Sequence, residues 1–251
     1  MIDLRLGDCL EVMKTIEDNS IDAIICDLPY GTTQNKWDNV IPFEPLWEQY
    51  KRVIKDNGAI VLTAAQPFTS MMIMSNPKMF KYCWVWNKDR SSGALNCNRM
   101  PLRYHEDIVV FYKKQCTYNP QMTKGKMINK GGSKGGGSYG VTKEKRYFSD
   151  TYYPRSIQTF KGCHNMTGKI HPTEKPLELM EYLVKTYTNE NETVLDNTIG
   201  SGTTMLACKN LNRNGIGIEM NEDYFNIASE RVGEKIKEKD IEAPTLFNEL
   251  N

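Results

Sequence analysis

Short apolar runs alternate with helical patterns over the first 112 residues, and this alternation limits the fold more than any other feature of the chain. "IDLRL" (2–6), "DAIIC" (22–26), "GAIVLTA" (58–64), "YCWVWN" (82–87) and "DIVVFY" (107–112) are rich in β-branched or aromatic residues and read as strands. Among them lie "CLEVMKTI", "PLWEQYKRVI" and "PFTSMMIM", which carry helical patterns. Strand and helix in alternation predict an α/β fold with a parallel sheet covered on both faces. The Met71, Met72 and Met74 group and Trp84 and Trp86 are expected in its core.

The rhythm stops near residue 113 and returns at Pro176. There "PLELMEYLVKTY" places Leu177, Met180, Val184 and Tyr187 on one helical stripe. A strand "TVLD", a loop "NTIGSG", a helix "TTMLACKNL", a strand "GIGIE" and a helix "EDYFNIASERV" follow. The last helix is expected to bury Tyr224, Ile227, Ala228 and Val232. The chain thus divides into a catalytic-type α/β unit over 1–112 and 169–238, an insert over 113–168, and a charged tail over 239–251.

Charge is distributed unevenly. The whole chain carries a net +1, yet residues 113–169 hold twelve Lys/Arg against two Asp/Glu, so the remainder is acidic. The insert has six glycines within 131–140 and no apolar period, so it builds no core of its own. A basic segment on an acidic body points to a polyanion. Lys124, Lys126, Lys130, Lys134, Arg146 and Arg155 are its candidate contacts. Seven scattered cysteines with no C-x-x-C pair read as reduced thiols of a cytosolic protein. Cys163-His164 with Cys116 lacks the ligand pairs of a zinc site, so no metal is expected. No apolar run is long enough to span a bilayer, so no membrane role is expected either.

Two loops carry chemistry. In "VLDNTIGSGTT" (194–204) a strand ends at Asp196, the chain turns through Gly200 and Gly202, and a helix begins near Thr203. Glycines let the backbone approach a ligand, and the helix start offers free N–H groups. Glu219 ends the next strand, 23 residues after Asp196, where an acid binds ribose hydroxyls in nucleoside-binding α/β folds. Met205 stands where a dinucleotide fingerprint wants Gly or Ala, and no P-loop pattern exists. S-adenosylmethionine, a nucleoside without phosphates, stays open. The second loop is "DLPYG", which leaves strand 23–26 at its C-terminal end, the ligand-binding edge of such sheets. A carboxylate at Asp27 and a backbone carbonyl held out by Pro29 suit the two hydrogens of an aromatic amine. They would localise a lone pair otherwise delocalised into the ring, with Tyr30 stacked on the base.

With "GDCLEVM" (7–13), "DLPYGTT" (27–33), "HPTEKP" (171–176) and "DNTIGSGTT" followed by "GIGIE", the chain resembles DNA amino-methyltransferases in which the acceptor motif precedes the cofactor motif. The resemblance covers nearly all of residues 1–232. It implies a three-layer Rossmann-like methyltransferase sheet, circularly permuted, with a basic target-recognition insert. It implies S-adenosylmethionine as cofactor and double-stranded DNA as substrate. Asp27, Leu28, Pro29 and Tyr30 match the acceptor motif, Asp196, Gly200, Ser201, Gly202 and Thr203 the cofactor loop, and Glu219 the ribose ligand. Asp8 matches an acid near the cofactor's adenine, and Thr173 and Lys175 match contacts to its methionine end. Leu28 and Asn197-Thr198-Ile199 depart from the usual Pro and Pro-Phe-x.

The expected reaction is methylation of a flipped base at its exocyclic amine, adenine N6 being favoured by the leading Asp27. Cytosine N4 is the alternative, followed by an RNA or protein-glutamine amine and by a DNA-coating protein without activity. Cysteine-based carbon-5 chemistry is disfavoured because no proline precedes a cysteine. The resemblance also raises a homodimer and a cognate restriction nuclease as partners, which the sequence leaves open.

Overall fold

The computed structural model describes residues 1–33, 35, 38–131, 136–137, 140–141, 146–162 and 174–233. In chain order the elements begin with β1 (Ile2–Leu6), α1 (Cys9–Met13), β2 (Ile21–Asp27), α2 (Phe43–Val53) and β3 (Ile54–Ala64). Next come α3 (Phe68–Ser75), β4 (Phe80–Ser92), a 3₁₀ turn at Ala94–Asn96 and β5 (Arg103–Phe111). The strands β6 (Thr123–Gly131), β7 (Gly136–Gly137), β8 (Gly140–Val141), β9 (Arg146–Tyr152) and β10 (Ile157–Phe160) follow. The chain then forms α4 (Leu177–Tyr187), β11 (Thr193–Asp196), α5 (Thr203–Asn210), β12 (Asn214–Glu219) and α6 (Glu222–Val232).

The main sheet runs β1-β12-β11-β2-β3-β5-β4-β10 among the described residues. From β1 to β3 every neighbouring pair is parallel. The outer part differs from the expected parallel sheet, because β5 is antiparallel to both β3 and β4. The reason lies in the chain path. A turn of about ten residues joins β4 to β5, too short for a parallel crossover, so the two strands return as a hairpin.

Helices cover both faces of the sheet. On one face Met180, Leu183, Val184 and Tyr187 of α4, Met205 and Cys208 of α5 and Ala228 and Val232 of α6 pack on Ala23, Ile25, Val61 and Val194. On the other, Met13, Leu46, Trp47, Tyr50, Phe68 and Met72 pack on Ile24, Ile60, Leu62 and Val109. The chain therefore forms three layers, the α/β architecture expected. Alternating strand positions send Ile25 and Ile24 to opposite faces, which is why β2 is apolar throughout.

Some local expectations need correction. Trp84 and Trp86 are buried, but Met71 and Met74 are 48% and 72% exposed, and only Met72 of that group enters the core. In α6 the buried positions are Phe225, Ala228, Ser229 and Val232, while Tyr224 and Ile227 are half-buried. A one-residue rotation of the stripe turns Tyr224 toward the ligand-binding edge. Parts of the 113–168 segment join the main unit. Cys116 lies in the core, and β10 adds to the main sheet beside β4. β6 and β9 pair in a separate two-stranded ribbon, and β7 and β8 form a small pair of their own.

A buried polar knot fixes α4 to the sheet. The Trp84 Nε1–H donates to the Tyr187 hydroxyl at 2.6 Å, and the Tyr82 and Tyr187 hydroxyls lie 3.0 Å apart. Tyr187→Phe removes the acceptor and leaves the buried Trp84 N–H unpaired, so it should lower stability by about 1–3 kcal/mol in urea unfolding. An unchanged unfolding midpoint would show that the knot contributes nothing.

Candidate active site

Three adjacent parallel strands, β12, β11 and β2, end in carboxylates: Glu219, Asp196 and Asp27. Strand polarity places all three at the same edge of the sheet. They line one cavity of about 940 Å³ together with Asp8, Leu28, Pro29, Tyr30, Lys175, Gly200, Ser201 and Thr203. The two motif loops, roughly 170 residues apart in sequence, thus share a single space. Its size falls within the range of about 300–1,000 Å³ usual for small-molecule sites.

At the β2 end, Asp27 is held on both oxygens. Its Oδ1 accepts from the Tyr30 hydroxyl at 2.7 Å and from Thr63 Oγ1, and Thr63 is its register partner on β3. Its Oδ2 accepts from Lys175 Nζ at 2.6 Å. Tyr30 stacks on Phe68 with centroids 5.1 Å apart, and Lys175 Nζ stands over the Tyr30 ring at 5.5 Å. Burial, and then the Asp27 charge, push the Tyr30 hydroxyl well above the usual tyrosine pKa, so it stays a donor. Lys175 is 8% exposed and also lies 3.4 Å from Glu106 Oε2. Burial opposes its charge, but Asp27 and Glu106 outweigh burial and raise its pKa above the usual lysine value. Glu106 is the mirror case: burial would raise its pKa, while Lys175 and Lys88 hold it below the usual carboxylate value.

The segment after the acceptor motif is pinned by Asp38. Its carboxylate accepts the backbone N–H groups of Gly31, Thr32 and Thr33 at 2.8, 2.9 and 2.6 Å. Burial would raise its pKa, but the Thr33 side chain and those amide bonds together lower it.

At the β11 end, the glycine loop turns as expected. Gly202 takes φ 78° at the start of α5, and a Cβ there would sit 3.0 Å from the Ala228 Cβ of α6, so both conformation and space require glycine. Glu219 Oε2 accepts from the Gly200 amide at 2.9 Å, and Oε1 accepts from the Asn221 amide at 2.9 Å. Burial raises its pKa against those bonds. Asp196 is 2% exposed, and burial pushes its carboxyl up to about 7 despite hydrogen bonds from Thr204 and the Thr198 amide. Asn197 is locked by the Tyr50 hydroxyl at 2.6 Å and the Cys26 thiol at 3.0 Å, both donating to Oδ1. Its Nδ2 is buried without a hydrogen-bond partner. Arg231 of α6, silent in the sequence reading, reaches the Ser201 carbonyl and hydroxyl, Thr203 Oγ1 and, at 2.6 Å, Glu174 Oε1.

The remaining expected residues are spread more widely. Asp8 lines the cavity and caps α1, accepting the Leu10 amide at 2.8 Å. Lys175 lies on the acceptor carboxylate; its neighbour Thr173 is outside the described residues, as are Lys134 and the Cys163-His164 pair. Lys124 and Lys126 are exposed on β6, Arg155 is exposed just before β10, and Lys130 and Arg146 belong to the paired ends of β6 and β9. Lys124, Lys126 and Arg155 do not line the cavity. Lys88, Arg90, Arg103 and His105 do, on the outer reach of the β4–β5 hairpin. Their i, i+2 spacing on each strand was the available signal. Among the described residues no helix is long and apolar enough to cross a membrane, and no three His, Cys, Asp or Glu gather as a metal site.

Residues 21–230 match the model of a family of N6/N4 methyltransferases described as DNA methylase. The chain belongs to that DNA methylase family. It is 30% identical over 256 residues to the Type II methyltransferase M.HpaI of Haemophilus parainfluenzae, covering 92% of this chain and 74% of that one. Among solved structures, the M1.HpyAVI–SAM complex aligns with a TM-score of 0.67 and 28% identity over 92% of this chain and 99% of the other. The PvuII cytosine-N4-specific DNA methyltransferase aligns with a TM-score of 0.65 at 16% identity, covering 92% and 86%, and shows the shared fold. A Rossmann-like sheet with the acceptor and glycine loops at one edge is therefore the methylase scaffold of this chain.

In this methylase Asp38 carries a specific expectation. Asp38→Ala frees three backbone amides beside the acceptor motif, so methyl transfer should fall by about tenfold or more while cofactor affinity holds within about twofold. Loss of both together would place Asp38 in global folding instead.

Proposed function

We propose that this methylase transfers a methyl group from S-adenosylmethionine to the exocyclic amine of a base flipped out of duplex DNA, with adenine N6 as the preferred target. The single observation that carries this reading is the cavity shared by Asp27 and the glycine loop. The walls fit the cofactor's chemistry. Gly200, Ser201 and Thr203 bring the loop to the cavity, Asp196 supplies a buried acid and Glu219 a half-buried one. The cofactor supplies an electrophilic methyl group when bound there.

The chain's own residues do the rest. Asp196 binds the cofactor's ammonium, Glu219 its ribose hydroxyls and Asp8 its adenine side. Asp27 accepts one N–H of the target amine, and the Leu28 carbonyl, held out by Pro29, accepts the other. Tyr30 and Thr63 fix Asp27 so that its orientation costs nothing at the moment of reaction. Flipping costs a few kcal/mol, and phosphate contacts from the β6–β9 ribbon, with Lys124, Lys126, Lys130 and Arg146, offset it. Arg155, exposed before β10, is a further candidate phosphate contact, as is Lys134, which lies outside the described residues. The Type II naming of the relatives supports a cognate restriction nuclease as companion activity.

Incubation with tritiated cofactor and duplex DNA, followed by nucleoside digestion, should yield labelled N6-methyladenine, and Asp27→Ala should abolish label while still binding cofactor. Labelled N4-methylcytosine would move the target to the other amine, and label found only in RNA or protein would refute the DNA reading. A second expectation concerns pH. The Asp196 carboxyl, raised to about 7, is ionised above that value and protonated below it. Cofactor affinity should therefore fall by about tenfold from pH 8 to pH 6, and Asp196→Asn should flatten the profile at weak affinity. A pH-independent wild-type dissociation constant would remove Asp196 from the ammonium site.

A further inference from the structure

Resting on that reading, we propose that Lys175 is a displaceable counter-ion. In the DNA-free enzyme its ammonium fills the place on Asp27 that the target amine takes, and it moves onto Glu106 when the base arrives.

The hydrogen-bond inventory of Asp27 leads to this. Oδ1 is committed to Tyr30 and Thr63, so an incoming N–H must use Oδ2. Oδ2 accepts one bond, from Lys175 Nζ at 2.6 Å, a buried charged donor that a neutral aromatic amine cannot outcompete, so the amine is left only the second lone pair of Oδ2 beside that ammonium. The same Nζ stands over the Tyr30 ring, the surface expected to stack on the base. One ammonium thus covers both elements of amine recognition. For a base to stack on Tyr30 and bring its amine to Oδ2, Lys175 must shift, and it is too buried to move out into water.

Glu106 is the alternative. Lys88 holds its Oε1, while Oε2 is buried, makes no hydrogen bond and lies 3.4 Å from Lys175 Nζ. A charge-assisted bond closes at about 2.7–2.9 Å, so Nζ gains a full bond to Oε2 by closing roughly 0.6 Å, and a larger swing about Oε2 takes it off Oδ2. The charges permit it. Asp27, Glu106, Lys175 and Lys88 sum to zero before and after the move, and no buried charge is left alone at either end. Glu106 is then a positioning residue, since it acts through Lys175 rather than on the base.

A suppressor experiment tests this. Single-turnover methyl transfer to DNA and the cofactor dissociation constant are measured for wild type, Glu106→Gln, Lys175→Gln and the double variant. Glu106→Gln strands Lys175 on Asp27, so transfer should slow by about tenfold or more with cofactor affinity within about twofold. The double variant should run at least about fivefold faster than Glu106→Gln alone, because removing the trapped ammonium frees Oδ2. A purely structural ion pair would instead make the double variant as slow or slower, which overturns the proposal. It is equally overturned if Lys175→Gln acts mainly by weakening cofactor binding, since Lys175 would then be a ligand of the cofactor's methionine end. If Glu106→Gln loses cofactor binding through misfolding, Glu106→Asp replaces it, keeping the charge but withdrawing it by one methylene, and the same suppression is required. A wild-type enzyme that labels no DNA overturns the parent reading as well, a result distinct from any ratio among variants.

Discussion

Parallel pairing of β2 with β11 is the constraint on which the site depends. The two strands are distant in sequence, yet Ala23 and Ile24 register with Val194 and Leu195 in the centre of the sheet. Strand polarity then obliges Asp27 and Asp196 to emerge at the same edge, with Glu219 one strand further along. A methyl donor held by one loop and an acceptor held by the other meet only because of that register. A shift of one residue would turn every β2 side chain to the opposite face and separate them.

Buried charge is the second organising feature. Asp27, Lys175, Glu106 and Lys88 form a chain of ion pairs in which each member offsets the desolvation of its neighbours. Such a network is poor evidence for stability, because apolar residues of similar size can serve a core as well. Its position at the cavity argues for chemistry. Asp196 is the contrasting case, an acid with no cationic partner among its named contacts, whose carboxyl rises with burial. An acid destabilised in this way is suited to a cationic ligand.

Most of the fold was legible because it is local. Apolar runs, helix stripes and the glycine turn at Gly202 follow from neighbours a few residues apart. The acceptor and glycine loops were legible because their residue types match the chemistry they serve. What escaped depends on pairing across the chain. Lys175 was read with the cofactor segment, whereas its partner Asp27 lies 148 residues away. Glu106 precedes the strand read at 107–112 and Arg231 lies near the end of the last helix, and neither carries a motif of its own. The antiparallel hairpin was missed because strand direction is not written in an apolar run. Met71 and Met74 were misplaced for a related reason: α3 is apolar on most of its surface, so its sequence does not say which face meets the sheet.

The central claim, that one cavity holds a target amine against a methyl donor, is tested most directly by the affinity of a bisubstrate compound in which adenine N6 is joined through a short linker to the sulfur-side carbon of the cofactor's nucleoside. Titration calorimetry should show it binding at least about tenfold more tightly than the cofactor's nucleoside portion alone, with the gain lost in Asp27→Ala. Equal affinity for the two compounds would mean that the acceptor and cofactor positions are not joined in one space, and the account would fail.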